Sequence, residues 1–394
     1  MSGYIAHLHG LAGDGARPAT PAISRRQLRN RRAAIIGCAG VPASYGGFET
    51  LAEQLAIAAE ARGVASRLTI WCSAKDVAAP LPDRFRGARL RHLPLSANGA
   101  SSIPYDGASA LAEMIGRGAA DTVLALGVSG GGPLAALAPL SRTRLVVHVD
   151  GREAERAKWG GTARRVLAWS ERRAVRAADV VVADNAALAR DITERYGCRP
   201  QVIAYGADHA RRARPGDISD LGLPPRYALA VARAEPENNL ETVVRAFARL
   251  PEQPLVIVAN WSATRHGRQL RAAWAGTRNL HLLEAEYDPA RLRAIRDRAW
   301  LYLHGHSAGG TNPSLVEMMP FGVPILAWDC AYNRVSTAGS APGFRDAEGL
   351  IALVRRLTTR PDVCASMGAA LATVAARRYR WDAIADAYFD LLDL

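Results

Sequence analysis

Lysine is almost missing from this chain. Only Lys75 and Lys158 occur in 394 residues, so the net charge of +13 rests on arginine. Cysteine is scarce as well: Cys38, Cys72, Cys198, Cys330 and Cys364 are odd in number and form no Cys-x-x-Cys. That excludes a disulfide framework and a zinc ribbon and fits reduced thiols packed singly. Aromatic residues reach only 6%, and with no nucleic-acid motif beside the positive charge, nucleic acid is excluded as the expected partner. No run approaches the ~18 uninterrupted apolar residues of a membrane span, and the first 30 residues lack a hydrophobic signal core. The expected setting is the cytoplasm, either free or peripheral on the inner face of a membrane, where an anionic lipid surface would match the charge.

What is present is enough apolar sequence, 49%, for two cores of ordinary size. Residues 1–30 are rich in Gly, Pro and Ala without periodicity and read as a loose basic tail. Arg25, Arg26, Arg29, Arg31 and Arg32 then form either an arm on phosphates or a solvated extension. Short buried-strand patterns alternating with helical stretches begin at Ala33-Ala34-Ile35-Ile36 and recur through Val180-Val181-Val182-Ala183. They restart at Tyr227-Ala228-Leu229-Ala230-Val231 after a polar, proline-bearing pause. The fold class expected is therefore α/β, with two Rossmann-like, doubly wound domains facing a cleft. The first spans 31–206 and the second 207–378, with an amphipathic segment 379–394 expected to pack back on the first.

Gly309-Gly310-Thr311-Asn312-Pro313-Ser314-Leu315-Val316-Glu317 follows an apolar run and leads into a helix. Asn312 suits an N-cap, Pro313 the first helical position, and the glycines a close backbone approach. Amides at such a helix start favour a diphosphate, and Glu317, one turn in, is placed to accept hydrogen bonds from sugar hydroxyls. Diphosphate plus hydroxyls suggests a nucleotide sugar as ligand. An ordinary loop-to-helix turn is the plain alternative.

Three further loops follow strand patterns. Gly46 and Gly47, in Pro42-Ala43-Ser44-Tyr45-Gly46-Gly47-Phe48-Glu49-Thr50, allow backbone contact with substrate but do not give the Gly-x-Gly-x-x-Gly spacing of dinucleotide enzymes. His148-Val149-Asp150-Gly151-Arg152-Glu153-Ala154-Glu155-Arg156-Ala157-Lys158-Trp159 crowds charge at a strand end. Arg233, in Arg233-Ala234-Glu235-Pro236-Glu237-Asn238-Asn239, is placed to clamp a phosphate. Tyr105 and Asp106 stand equally well as shapers of an acceptor side or as a core aromatic with a turn residue. His304 and His306 alternate at another strand end, but two ligands do not close a metal site, so no metal is expected.

Taken together, His304 to Ile325, the Pro42 to Thr50 loop and the Asp150 to Trp159 loop resemble retaining glycosyltransferases of family 4, which have the GT-B fold. A rhamnosyltransferase-like branch has Gly-Gly-Thr-Asn-Pro-Ser, Pro-x-x-Tyr-Gly-Gly-Phe-Glu-Thr and Pro-Glu-Asn-Asn in the same places. Glu317 matches the second of the family's two signature glutamates, whereas Gly309 stands where the first would be and Asn238 where a lysine would be. His148, Ala154 and Glu155 depart from the branch.

The resemblance implies a nucleoside-diphosphate sugar, dTDP-rhamnose, as donor substrate without a cofactor, and a glycan or lipid-linked oligosaccharide as acceptor. It places Gly46, Gly47, Arg233, Gly310, Thr311, Asn312, Ser314, Leu315 and Glu317 on the donor, and Tyr105, Asp106, Glu153, Arg156 and Lys158 on the acceptor side. Asp150 is the candidate for orienting the acceptor hydroxyl, and Arg233 for stabilising the departing charge. A GT-B nucleotide-sugar epimerase and a non-catalytic GT-B binding subunit are the alternatives. A phosphorylase is excluded, since it needs a pyridoxal lysine and none follows Lys158.

Overall fold

A computed structural model describes residues 31–43, 46–77, 81–151 and 160–394. In the first half, β1 (Ala33–Ile36), β2 (Leu68–Ser73), β3 (Arg84–Phe85), β4 (Ala88–Leu93), β5 (Thr122–Leu126), β6 (Arg144–Val149), β7 (Val180–Ala183) and β8 (Gln201–Val202) form one sheet. Its order is β3-β4-β2-β1-β5-β6-β7-β8. Every pairing is parallel except the small β3–β4 hairpin at the edge. A parallel strand is covered on both faces, so its sequence reads as a continuous apolar run, and β5, Thr-Val-Leu-Ala-Leu, is buried throughout. β4, Ala-Arg-Leu-Arg-His-Leu, alternates buried and exposed positions at its start, which hides it from a search for apolar runs.

The second half repeats the arrangement. β9 (Tyr227–Val231), β10 (Leu255–Val258), β11 (Leu280–Leu283), β12 (Ala299–His304), β13 (Ile325–Trp328) and β14 (Gly343–Phe344) pair in parallel in the order β11-β10-β9-β12-β13-β14. The molecule is thus built on two doubly wound sheets. Two registers place the loops that matter. Val149 pairs with Ala183, so Asp150 and Asp184 leave neighbouring strand ends side by side. β9 pairs with β12, so the loops after Val231 and His304 are neighbours too.

The helix Trp381–Leu392 covers the first sheet rather than the second. Trp381, Ile384, Tyr388 and Phe389 join Leu51 and Leu55 of the helix Gly47–Ala61 in one apolar cluster. Burying a side chain such as Phe389 stabilises by about 1.5–3 kcal/mol. The start of this helix is pinned by two bonds: the Trp381 amide donates to Asp208 Oδ1 at 2.9 Å, and the indole Nε1 donates to His209 Nδ1 at 2.8 Å.

Candidate active site

The loops singled out in the sequence meet at the carboxyl ends of both sheets. A Cβ on Gly47 would lie 3.2 Å from Pro313 Cγ and 3.3 Å from Tyr205 Cζ, so the first loop faces the Gly309–Ser314 turn directly. Gly46 is the N-cap of the helix Gly47–Ala61. Asp150 and Gly151 touch the same turn: the Gly310 amide donates to the Asp150 carbonyl at 3.1 Å, and Gly151 faces the Cα of Gly309. From β7, the Asp184 carbonyl accepts the Thr311 hydroxyl. Asn185 Nδ2 donates to the Tyr332 carbonyl at 3.2 Å and to Ser336 Oγ at 3.1 Å. The two halves are therefore hydrogen-bonded across the cleft.

The turn itself follows from local chemistry. Asn312 Oδ1 accepts from the Ser314 amide at 3.1 Å and from Ser314 Oγ at 2.8 Å, capping the helix Pro313–Met318 with proline at its first position. Gly309 has φ 99°, a backbone region that side-chain-bearing residues rarely occupy. Gly310 has no room for a side chain: a Cβ there would lie 1.6 Å from Asp184 Oδ1. Two amides are already used, Gly310 by Asp150 and Ser314 by Asn312. Leu315 has no exposed surface and bonds back to the Asn312 carbonyl, so it supports the turn from the core and offers a ligand no side-chain surface.

Glu317 has both carboxylate oxygens engaged. Oε2 pairs with the buried Arg296, and Oε1 lies 3.3 Å from His209 Nε2. Because His209 Nδ1 accepts from Trp381, its Nε2 carries the proton and donates to Glu317. Burial alone would push this carboxyl up; Arg296 and His209 outweigh it and hold it at about 2. Glu317 is an anion at neutral pH. Neither Arg296 nor His209 stood out in the sequence, since each is an isolated residue whose partner lies far along the chain.

Arg233 sits in the loop after β9, about one third exposed, with Nη1 3.6 Å from Glu235 Oε1. Asn238, buried, braces that loop: Nδ2 donates to the Arg233 carbonyl at 2.8 Å, while Oδ1 meets His306 Nδ1 at 2.5 Å. The His306 ring in turn lies next to Gly309. An amide with both ends used in this way ties the arginine loop to the Gly309–Ser314 turn, which a lysine at 238 could not do. His304 is buried with Nε2 unpaired among the described residues, and burial holds its pKa down at about 3. Among the described residues no group of three or more His, Cys, Asp or Glu is placed to hold a metal ion.

The residues expected on the acceptor side separate. Tyr105 is completely buried, with its hydroxyl donating to the Cys38 carbonyl at 3.0 Å, so it props the loop after β1. Asp106 is buried beside it and accepts from Ser129 Oγ at 2.5 Å; burial raises its carboxyl to about 7. Both are core residues with no side-chain surface to speak of. Glu153, Arg156 and Lys158 lie outside the described residues. Beside Asp150 the structure brings forward Asp184, buried, with both oxygens lacking an aligned partner among the described residues. Burial, and then the nearby Asp150, raise its carboxyl well above the usual range. Asp184 does not stand out in the sequence because Ala183-Asp184-Asn185 reads as a simple strand-to-helix cap.

A family model described as a glycosyl transferase 4-like domain matches residues 46–206, less than half of the chain. No curated protein matches it. Among solved structures, sucrose-phosphate synthase from Thermosynechococcus elongatus superposes with a TM-score of 0.76 at 16% identity, covering 92% of this chain and 98% of that one. Anabaena Alr3699/HepE in complex with UDP-glucose does so with a TM-score of 0.64 at 14% identity, covering 92% and 99%. A putative UDP-N-acetylglucosamine 2-epimerase from Listeria monocytogenes gives 0.60 at 15% identity, covering 91% and 95%. The two parallel α/β sheets are thus those of the GT-B fold.

Proposed function

We propose that the protein is a retaining glycosyltransferase that moves a sugar, L-rhamnose from dTDP-rhamnose, to a glycan or lipid-linked oligosaccharide. The observation that carries this reading is the convergence of Gly47, Asp150 and the Gly309–Ser314 turn at the strand ends of both sheets, where open α/β sheets bind ligands. The family model over the first half, and a shared fold with a structure holding UDP-glucose, support a nucleotide sugar as donor substrate. Rhamnose and the deoxythymidine base rest on the branch motifs alone.

In this reading the diphosphate lies along the turn, with Gly46 and Gly47 opposite it. Arg233, anchored through Asn238, stabilises the charge that develops as the bond between the anomeric carbon and the diphosphate oxygen breaks. The acceptor hydroxyl, oriented by Asp150, attacks from the same face, and its proton passes to the departing phosphate oxygen beside it. Glu317, fixed as an anion, has lone pairs left for the hydroxyls of the nucleoside sugar. The acceptor binds on the first half near Glu153, Arg156 and Lys158, with Tyr105 and Asp106 shaping that side from below. The Gly310 amide, bonded to Asp150 here, becomes available to phosphate once the two halves part.

The epimerase reading is kept because its fold is the same, and the binding-subunit reading because Gly309 and Asn238 replace charged residues of the transferases. Incubation with a panel of nucleotide sugars, followed by mass spectrometry and sugar analysis, separates the readings. Slow release of free sugar without acceptor, with retained anomeric configuration, is the expected result. An isomerised nucleotide sugar would make the protein an epimerase, and no turnover with any of the panel would make it a binding subunit.

A further inference from the structure

We infer that one flank of the first sheet, formed by the helices Ser102–Met114, Gly131–Leu137 and Gly161–Ala177, is a docking surface for an anionic bilayer. Single exposed apolar residues are ordinary on a soluble protein, but a concentration of them is not. Of the nine large apolar side chains exposed among the described residues, six fall on this flank: Ile103, Leu111, Ile115, Leu140, Val166 and Trp169. Leu140 is 73% exposed and Trp169 51%.

The three helices form one continuous surface. Gly107 faces Pro133, and Gly132 faces the Trp169 ring. Ser141 Oγ donates to the Met114 carbonyl at 2.6 Å, which brings Leu140 beside the end of the first helix. Ile103, Gly107, Leu111 and Ile115 follow at a four-residue spacing and so share one side of that helix.

The charge fits the same partner. Arg165, Trp169, Arg172 and Arg176 follow the helical repeat along one exposed face of Gly161–Ala177, opposite the buried Ser170 and Ala174. Arg173 extends that face and lies 5.6 Å from the Trp169 ring. The only carboxylates on the three helices are Asp106, Glu113 and Glu171, and all three are buried. The arginines therefore face outward with no acidic residue of these helices among them. A basic stripe with an aromatic and aliphatic residues beside it is what an interfacial helix presents to anionic headgroups. Duplex nucleic acid would meet the arginines but leave the apolar side in water. A second copy would bring two positive faces together. No described helix is long and apolar enough to cross a membrane, so contact would be with the surface layer.

The inference does not depend on which sugar is moved, or on transfer at all. The full chain is mixed with vesicles of phosphatidylglycerol and phosphatidylcholine, or of phosphatidylcholine alone, and sedimented. Binding to the anionic vesicles only, weakened by salt, is expected. Each arginine near such a surface is worth roughly a fivefold change in partition, so Arg165→Ala/Arg172→Ala/Arg176→Ala should lose at least tenfold. Brominated lipid should quench part of the tryptophan emission of the parent protein, and Trp169→Phe should abolish that part. Sugar release from the donor in solution should match the parent for both variants, which separates this result from the fate of the transferase reading. Equal sedimentation of the triple variant, quenching that survives Trp169→Phe, or binding to a DNA duplex with none to vesicles would each overturn the assignment.

Discussion

At the scale of single residues, the Glu317–Arg296 pair decides how the proposed nucleoside contact must be tested. Removing the carboxylate leaves the buried Arg296 guanidinium without its partner, a change that costs about 3–5 kcal/mol. Glu317→Ala should therefore lower the unfolding midpoint as well as nucleotide affinity. Glu317→Gln keeps the shape and should show the affinity loss more cleanly. The pH dependence adds a second check. A carboxyl held at about 2 instead of 4.5 stabilises the fold fully above the higher value, and that contribution is lost as pH falls between them. Asp106 works in the opposite sense: its raised pKa means the folded protein holds the proton more tightly, so stability falls as pH rises from about 3.8 towards about 7. Urea denaturation across this range should show Glu317→Gln flattening the acid limb and Asp106→Asn flattening the neutral one. A parent-like pH profile in either variant would remove that residue from the account. Arg233→Lys should retain only part of the turnover of the parent, because the planar fork is lost, and Arg233→Ala should lower kcat as well as affinity.

At the scale of elements, what could be read in advance was what local chemistry determines. The Asn312 cap and Pro313 start are written in adjacent residues, and the buried runs of β5, β6 and β9 need both faces covered wherever they lie. Asn312 and Gly310 were legible for that reason. Asp184, Arg296 and His209 were not, since each acquires meaning only from a partner more than 20 positions away that folding brings alongside. Of the two roles open to Tyr105 in the sequence, the structure shows the core one, with its hydroxyl propping the Cys38 loop from within. The tightest element-level contact, Gly310 against Asp184, gives a direct test. A methyl at 310 has nowhere to go but into the Asp184 carboxylate, so Gly310→Ala must push the turn away from β7. Nucleotide affinity should fall at least tenfold with the far-ultraviolet circular dichroism unchanged. Gly310→Ala/Asp184→Gly should recover part of it by clearing the space. No recovery would mean that the turn, rather than the contact between halves, had been damaged.

At the scale of the whole molecule, the helix Trp381–Leu392 connects the two halves chemically as well as sterically. It belongs by sequence to the end of the second half, packs in the apolar cluster of the first, and reaches the Pro313–Met318 helix through Trp381, His209 and Glu317. His209 relays the contact: its Nδ1 must accept from the indole for Nε2–H to face the carboxylate. Trp381→Phe preserves most of the buried apolar surface but removes the indole proton, so Nδ1 loses its donor and the ring is free to carry its proton there instead. The expected cost is about 1 kcal/mol of stability for the lost hydrogen bond. Nucleotide affinity should drop several-fold as well, because Glu317 is held by one partner rather than two. His209→Ala should produce the same affinity loss, and the double variant no more than either alone, since both act through one bond to Glu317. Calorimetric titration of dTDP and UDP against the four proteins gives the coupling directly. Strictly additive losses would show that Trp381 and His209 reach the site independently, and that the cover helix holds the first half together without reporting on the second.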